Sequence, residues 1–446
     1  MLWPMRGVWI KNFGCQMNVY DSLKIVSILQ ECGYRVVDVP EKACLFVLNT
    51  CHVRKKATEK VFSDLGRLRL LKTGHLAPKI IVTGCVAQAL GVEVQRRAPW
   101  VDIVIGPQAL HKIPLLLEDL EQKRPCLCLE GSAAEKFKKS FHAPLPEGRV
   151  TAFLAIQEGC DYFCSYCVVP HTRGREFSRP IESILEEAHA FIQQGVKEIT
   201  LIGQNVNAYC GMDATGAMCD FGTLLRRVAP LPGILRVRYT TSHPRHINES
   251  LLHAHATLPQ LAPFIHLPAQ AGSDPILKAM NRPYTRADYL MAIDKLRTVR
   301  PDIAFSSDFI VGFPGETEED FQETLSLVKS VTYAQAYAFK YSPRPGTPAA
   351  SLPDQVPESA KEERLARLLD ILRKQQQDFN RQSVGKVVSV LFEKPGRHSG
   401  EITGRTLHFQ SVIIKAPQSV IGSCLPVRII ELLPYSLRGE YTPSTA

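Results

Sequence analysis

Short apolar runs and stretches of helical periodicity alternate along most of this chain. Near the start, Val8-Trp9-Ile10-Lys11-Asn12-Phe13 reads as a strand, as do Leu45-Phe46-Val47-Leu48, Ile80-Ile81-Val82 and Asp102–Ile105. Helical patterns follow the first three, over Asp21–Glu31, Lys55–Lys72 and Val86–Arg97, and Val61, Leu65 and Leu68 give the middle one a core stripe. Strands alternating with helices predict a parallel sheet. The carboxyl ends of its strands share one edge, where ligands bind.

The pattern resumes further on. Phe153–Gln157, Glu198–Ile202, Leu235–Tyr239, Phe264–Leu267, Ile303–Phe309 and Gln335–Tyr341 are apolar strands with helical stretches between them, which predicts a partial, TIM-like (β/α)6 barrel. Polar residues at their carboxyl ends are Gln204 and Asn205, Thr241, Ser242 and His243, His266 and Gln270, Asp308, and Ser342 and Arg344. The stretch Gln122–Arg149 lacks periodicity and holds several prolines, glycines and lysines, as a surface connection would. Pro343–Pro357 reads as a connector and Ser359–Arg381 as a charged helix. Beyond it, Val387–Phe392, Glu401–Gly404, Ser411–Lys415, Pro426–Leu432 and Leu437–Tyr441 are short strands, the pattern of a small OB-like β-barrel. The expected class is α/β throughout the first two of three domains, with bounds at 1–122, 150–381 and 383–446.

Composition narrows the setting. Of 446 residues, 45% are hydrophobic and 22% charged, ordinary for a globular chain, while a net charge of +9 favours a polyanionic partner. No apolar stretch reaches the roughly 18 residues of a membrane span. Met1–Arg6 has no apolar leader core, so a cytoplasmic location is expected. With 13 cysteines, an odd number in a long chain, reduced thiols and metal ligation are more plausible than a disulfide framework.

Two sets of cysteines carry candidate chemistry. Cys15, Cys51 and Cys85 each follow a strand of the first sheet, so the topology brings all three to one edge. Cys160, Cys164 and Cys167 stand in Gly159-Cys160-Asp161-Tyr162-Phe163-Cys164-Ser165-Tyr166-Cys167, directly after a strand. Three thiolates leave one iron of a cuboidal cluster without a protein ligand, where a substrate can bind. A zinc knuckle with His171 as fourth ligand, or buried thiols without a metal, fits the spacing too. The remaining cysteines, Cys32, Cys44, Cys126, Cys128, Cys210, Cys219 and Cys424, read as structural.

The CxxxCxxC spacing resembles the radical S-adenosylmethionine (SAM) superfamily. Asn12–Asn18, Asn49-Thr50-Cys51 and Gly84–Gln88 resemble the N-terminal domain of the methylthiotransferases, and Gly404-Arg405-Thr406 with Ser436–Gly439 resembles a TRAM domain. The resemblance implies two 4Fe–4S clusters, one on Cys160, Cys164 and Cys167 and an auxiliary one on Cys15, Cys51 and Cys85. S-adenosyl-L-methionine is implied as radical source and methyl donor. Tyr166 stands where the superfamily keeps an aromatic residue near the SAM adenine. Asp308 and Gly312 belong to a stretch, Asp308–Thr317, similar to its fifth-strand motif along the adenosine. Gln204 replaces the glutamate of a Gly-Gly-Glu motif that binds the SAM amino group, and Ser242 completes the implied SAM contacts.

Cys15–Asn18 and Cys167–Gly174 are similar to the branch that methylthiolates carbon 2 of isopentenylated adenosine beside the anticodon. The implied partners are the tRNA anticodon stem-loop, a flavodoxin-type electron donor and the iron–sulfur assembly machinery, for a monomer without membrane attachment. Arg54, Lys55, Arg173, Arg175 and Arg405 are candidate RNA contacts, with Phe409 a candidate stacking ring. Sister branches act on a ribosomal-protein aspartate or on threonylcarbamoyladenosine, and an iron–sulfur protein that binds RNA without catalysis is the alternative of another class.

Overall fold

The computed structural model describes residues 6–52, 55–72, 77–121, 126–138 and 145–441. The chain forms two compact units. One takes in residues up to Leu145 with Phe153–Asp161 and Val168–Arg179; the other takes Pro146–Ala152, Tyr162–Cys167 and the chain from Pro180 onward.

The first unit is built on a parallel sheet of strands β1 (Arg6–Asn12), β2 (Tyr34–Val36), β3 (Leu45–Thr50), β4 (Lys79–Gly84), β5 (Ile103–Ile105) and β6 (Cys126–Cys128), in the order β2-β1-β3-β4-β5-β6. Helices α1 (Gln16–Glu31), α2 (Lys55–Leu71), α3 (Cys85–Arg97) and α4 (Ile113–Glu121) accompany it. Alternate residues of β3 face opposite ways. Phe46 and Leu48 join one core with Val61, Leu65 and Val86; Leu45 and Val47 join another with Ile25, Leu29 and Ile113. A strand buried on both faces shows a continuous apolar run, which explains the pattern in the sequence. The sheet extends beyond the four strands expected, because β2 and β6 are short edge strands without such a run.

The Gln122–Arg149 stretch departs from a plain surface connection. It contributes β6 to the sheet and a short helix, α5 (Ala133–Lys138), in which Lys136 is buried. Its ammonium bonds Asp21 Oδ1 and Glu158 Oε2, both at 2.6 Å, an attraction that periodicity does not encode.

The second unit holds parallel strands at Glu198–Ile202 and Arg236–Thr240, and at Phe264–His266, Ala304–Val311 and Gln335–Lys340. A parallel bridge between Val237 and Leu261 and the bond from Ser242 N to His266 O join the two sets into one curved wall. The remaining expected strand forms over Thr151–Ala155 and is divided between the two units, and Cys210–Met212 pairs with Met218–Asp220 in an added hairpin. Helix Glu358–Arg381 leads to a closed five-stranded barrel over 387–440. This small barrel shares a unit with the larger wall instead of standing apart. Arg238 donates to the carbonyls of Thr406 (2.7 Å) and Leu407 (2.9 Å), and Arg236 to that of Arg405 (3.1 Å). Among the described residues no helix is long and apolar enough to cross a membrane.

Candidate functional site

The register of the first sheet sets Asn12 opposite Asn49, and Thr50 opposite Gly84, so β1, β3 and β4 end at one level. Cys15, Cys51 and Cys85 follow directly. Cys15 caps α1 and Cys85 opens α3, where the aligned peptide dipoles favour negative charge. Gly14 and Gly84 precede them with φ of 99° and 87°. A Cβ on Gly14 would stand 2.2 Å from Cys51 Cβ, and one on Gly84 2.3 Å from Thr50 O, so the cysteine loops approach too closely for any larger residue.

Asn18 ties two of these loops together, donating to Phe13 O (2.7 Å) and Thr50 O (2.9 Å). Asn49 donates back to Asn18 O at 2.8 Å. A hydrogen bond with the Cys51 thiol lowers the Cys15 thiol to about 6, against its desolvation and with help from Arg173 and Asn18. Among the described residues no three His, Cys, Asp or Glu side chains are gathered as a set that could hold a metal ion. The donors nevertheless suit one: soft thiols at a shared edge, one already disposed to ionise, are the ligand chemistry of iron–sulfur centres.

The Gly159–Cys167 loop passes from one unit to the other. On the first side, Cys160 N donates to Gly174 O at 3.2 Å. On the second, the turn Ala279–Arg282 holds the loop. Ser165 N donates to Met280 O (3.0 Å), Asn281 Nδ2 to Phe163 O (3.0 Å), and Arg282 Nη1 reaches Cys164 Sγ at 3.4 Å. Arg282, half-buried, was not among the candidates from sequence, since it follows no strand.

The expected SAM residues take the following places. Tyr166 sets its ring edge-on to Phe313, 6.5 Å between centroids, so the cysteine loop meets the fifth-strand motif. Gly312 N donates to Glu316 Oε2 at 2.6 Å, and Arg364 of the helix Glu358–Arg381 bonds the same carboxylate at 2.8 Å. Asp308 Oδ2 lies 3.5 Å from His266 Nε2, whose Nδ1 is 3.0 Å from Ser306 Oγ. Gln204 is half-buried just past the strand Glu198–Ile202. Ser242 is 3% exposed, and its hydroxyl makes no hydrogen bond among the described residues.

Next to it, His243 stacks on Tyr162 of the cysteine loop, with ring centroids 4.2 Å apart. Its Nδ1 accepts from Arg245 N at 3.2 Å, which leaves the proton on Nε2, a buried donor also without a partner. Burial, with the nearby cations Arg282 and Arg245 and the ring of His246, pushes its pKa down to about 2, so the ring is neutral. Two orphaned polar groups at a strand's carboxyl end fit a polar ligand there.

The expected RNA contacts divide. Arg54 lies outside the described residues, and so does the Lys55 side chain. Arg173 is not a surface contact: it is 2% exposed and bonds Asp21 and Asn18. Arg175 is exposed. Arg405 lies over the Phe409 ring at 4.2 Å, and that ring also packs on Phe264, so Phe409 serves the junction between the two barrels instead of a free base.

Residues 154–328 match the Radical SAM superfamily. The chain therefore carries a radical SAM domain and is an enzyme. Residues 7–106 match the family described as "Uncharacterized protein family UPF0004", and residues 381–442 match the TRAM domain. The three in this order form a methylthiotransferase-type architecture. The superfamily brings S-adenosylmethionine and an iron–sulfur cluster as cofactors, and the TRAM match turns the small barrel toward RNA.

Among solved structures, TsrM from Kitasatospora setae, a radical S-adenosylmethionine methyltransferase with cobalamin and a 4Fe–4S cluster bound, superposes with a TM-score of 0.59 at 14% identity, over 78% of this chain and 74% of that chain. OxsB, a cobalamin-dependent S-adenosylmethionine radical enzyme solved with aqua-cobalamin and S-adenosylmethionine, gives 0.53 at 15% identity, over 83% and 56%. At such identities the likeness is one of fold.

Proposed function

We propose that this enzyme methylthiolates carbon 2 of N6-isopentenyladenosine beside the anticodon of tRNA, the activity of tRNA-2-methylthio-N6-dimethylallyladenosine synthase (MiaB). One observation carries the reading: a second trio of thiols, Cys15, Cys51 and Cys85, ends three adjacent strands in the domain that precedes the barrel. Cleavage of SAM alone has no use for it. Insertion of sulfur does, since an auxiliary 4Fe–4S cluster with one open iron offers a place for the sulfur. Cys160, Cys164 and Cys167 are the proposed ligands of the other cluster.

When bound, the clusters and SAM supply one-electron cleavage of SAM, removal of the hydrogen on carbon 2, and the sulfur and methyl groups. The chain supplies placement and exclusion of water. Arg282 keeps a cation against Cys164, and Ser242, Tyr166, Gln204, Asp308 and Gly312 hold SAM. The exposed Lys386, Lys394 and Arg397 of the TRAM barrel, with Arg175, meet phosphates. The target base is splayed out of its loop, as chemistry on a ring carbon requires. A flavodoxin-type donor reduces the enzyme, which works as a cytoplasmic monomer loaded by the iron–sulfur assembly machinery.

Nucleoside mass spectrometry of tRNA from cells with and without the gene tests this. The expected result is loss of 2-methylthio-N6-isopentenyladenosine, with the unthiolated nucleoside left in its place. Loss of methylthiolated threonylcarbamoyladenosine, or of a methylthiolated ribosomal-protein aspartate, would reassign the substrate.

A further inference from the structure

Arg173 lies on the short helix α6 (Val169–Arg173), just after the last cysteine of the CxxxCxxC loop. Its Nη1 donates to Asp21 Oδ2 (2.6 Å) and Glu158 Oε1 (3.2 Å), and its Nη2 to Asn18 Oδ1 (2.7 Å). Lys136 bonds the other oxygens of both carboxylates. Arg173, Lys136, Asp21 and Glu158 are all buried. Two cations and two carboxylates therefore cancel, and stability alone does not account for them, because apolar side chains of similar size often serve a core as well.

Position does account for them. The guanidinium acts electrostatically on both Cys85 and Cys15, and at Cys15 it outweighs the opposing carboxylate of Asp21. Its partner Asn18 holds the carbonyls of Phe13 and Thr50, which lead into Cys15 and Cys51. Gln108 Nε2 bonds the Arg173 carbonyl at 2.5 Å and fixes the end of α6. By charge or by hydrogen bond, one side chain bears on all three cysteine loops.

We propose that Arg173 is a positioning residue for the centre held by Cys15, Cys51 and Cys85, a permanent cation that offsets the charge of the thiolates and locks their loops through Asn18. The inference rests on the auxiliary-centre reading above. Three thiolates, two of them on the buried Cys51 and Cys85 and one on the exposed Cys15, bring negative charge beside this set. A guanidinium cannot lose its proton, so its compensation is permanent. Each electron added to the centre adds negative charge, so a fixed cation favours the reduced form and raises the potential.

The test uses the full chain with Cys160, Cys164 and Cys167 changed to Ala, so that only the N-terminal trio binds iron. After anaerobic reconstitution with iron and sulfide, three quantities are read: iron per chain, midpoint potential, and the rate of iron loss to a chelator. Arg173→Met alone leaves two carboxylates against one cation. Arg173→Met with Asp21→Asn restores a neutral set, and Arg173→Gln keeps some hydrogen bonding without the charge. Arg173→Lys is the conservative control.

The expected result is a shift to lower potential and a several-fold faster loss of iron in Arg173→Met, with or without Asp21→Asn, and in Arg173→Gln, with Arg173→Lys close to the parent. A parental potential and parental iron retention in any of these three variants that folds would overturn the inference. A parent chain that binds no iron would overturn the auxiliary-centre reading itself.

Discussion

A thiol at a helix N-terminus that shares a hydrogen bond with a second thiol ionises more readily than a solvated one. In the cluster-free protein, Cys15 therefore should react with iodoacetamide along a curve with its midpoint near pH 6, while burial pushes the Cys44 and Cys126 thiols above their ordinary 9.0. The sign for stability follows. A depressed thiol stabilises the fold fully above its unfolded value, and the contribution is lost as pH falls through about 6. Peptide mass spectrometry of the alkylated cysteines reads the curve, and a Cys15 midpoint near 9 would contradict the shared hydrogen bond. Ser242 makes a second case. A buried hydroxyl without a partner loses about 1–3 kcal/mol until a ligand satisfies it. Ser242→Ala should accordingly weaken SAM binding roughly tenfold, about 1.4 kcal/mol, in calorimetry on the cluster-loaded protein. Unchanged affinity would remove Ser242 from the SAM site.

Elements with a clear apolar pattern were legible in the sequence. Glu198–Ile202 and Ser411–Lys415 form with the bounds their apolar pattern sets, and Val61, Leu65 and Leu68 are buried as their spacing requires. Half-exposed edge strands such as Tyr34–Val36 left no such trace. The buried ions left none either, because Lys136 and Asp21 pair across a long stretch of chain, and sequence shows the charge of Arg173 but not its burial. The two barrels meet in the same hidden way. Arg236 and Arg238 share Glu198, at 3.3 and 3.1 Å, and donate their other protons to carbonyls around Thr406. Arg238→Met removes two charge-assisted bonds from a residue 4% exposed, a loss of about 2–3 kcal/mol. If that energy holds the TRAM barrel in place, limited proteolysis in the segment 383–386 should speed up by roughly 30-fold or more, since 1.4 kcal/mol is a factor of ten. An unchanged cleavage rate would show that the helix Glu358–Arg381 secures the barrel without this junction.

Across the whole molecule the two cysteine trios belong to different loops, and this separation allows their roles to be parted. Cys51 is 4% exposed at the end of β3 and hydrogen-bonds Cys15, whereas Cys160, Cys164 and Cys167 follow a strand of the barrel. Cys51→Ala deletes one thiolate of three and releases the Cys15 thiol from the bond that lowers it. Two remaining thiolates are too few for a cuboidal cluster. Nothing in the substitution reaches the CxxxCxxC ligands by sequence, and the methylthiotransferase-type order of domains stays intact. The variant should therefore still convert SAM to 5′-deoxyadenosine, within about twofold of the parent, while methylthiolation of tRNA falls to background. Both products come from one anaerobic reaction, the nucleoside by liquid chromatography and the modified base by mass spectrometry, so the ratio is internal to the sample. Loss of both would mean that the two trios depend on each other for folding, and unimpaired thiolation would leave Cys51 outside the chemistry. Only the uncoupled result is what two separately ligated centres produce.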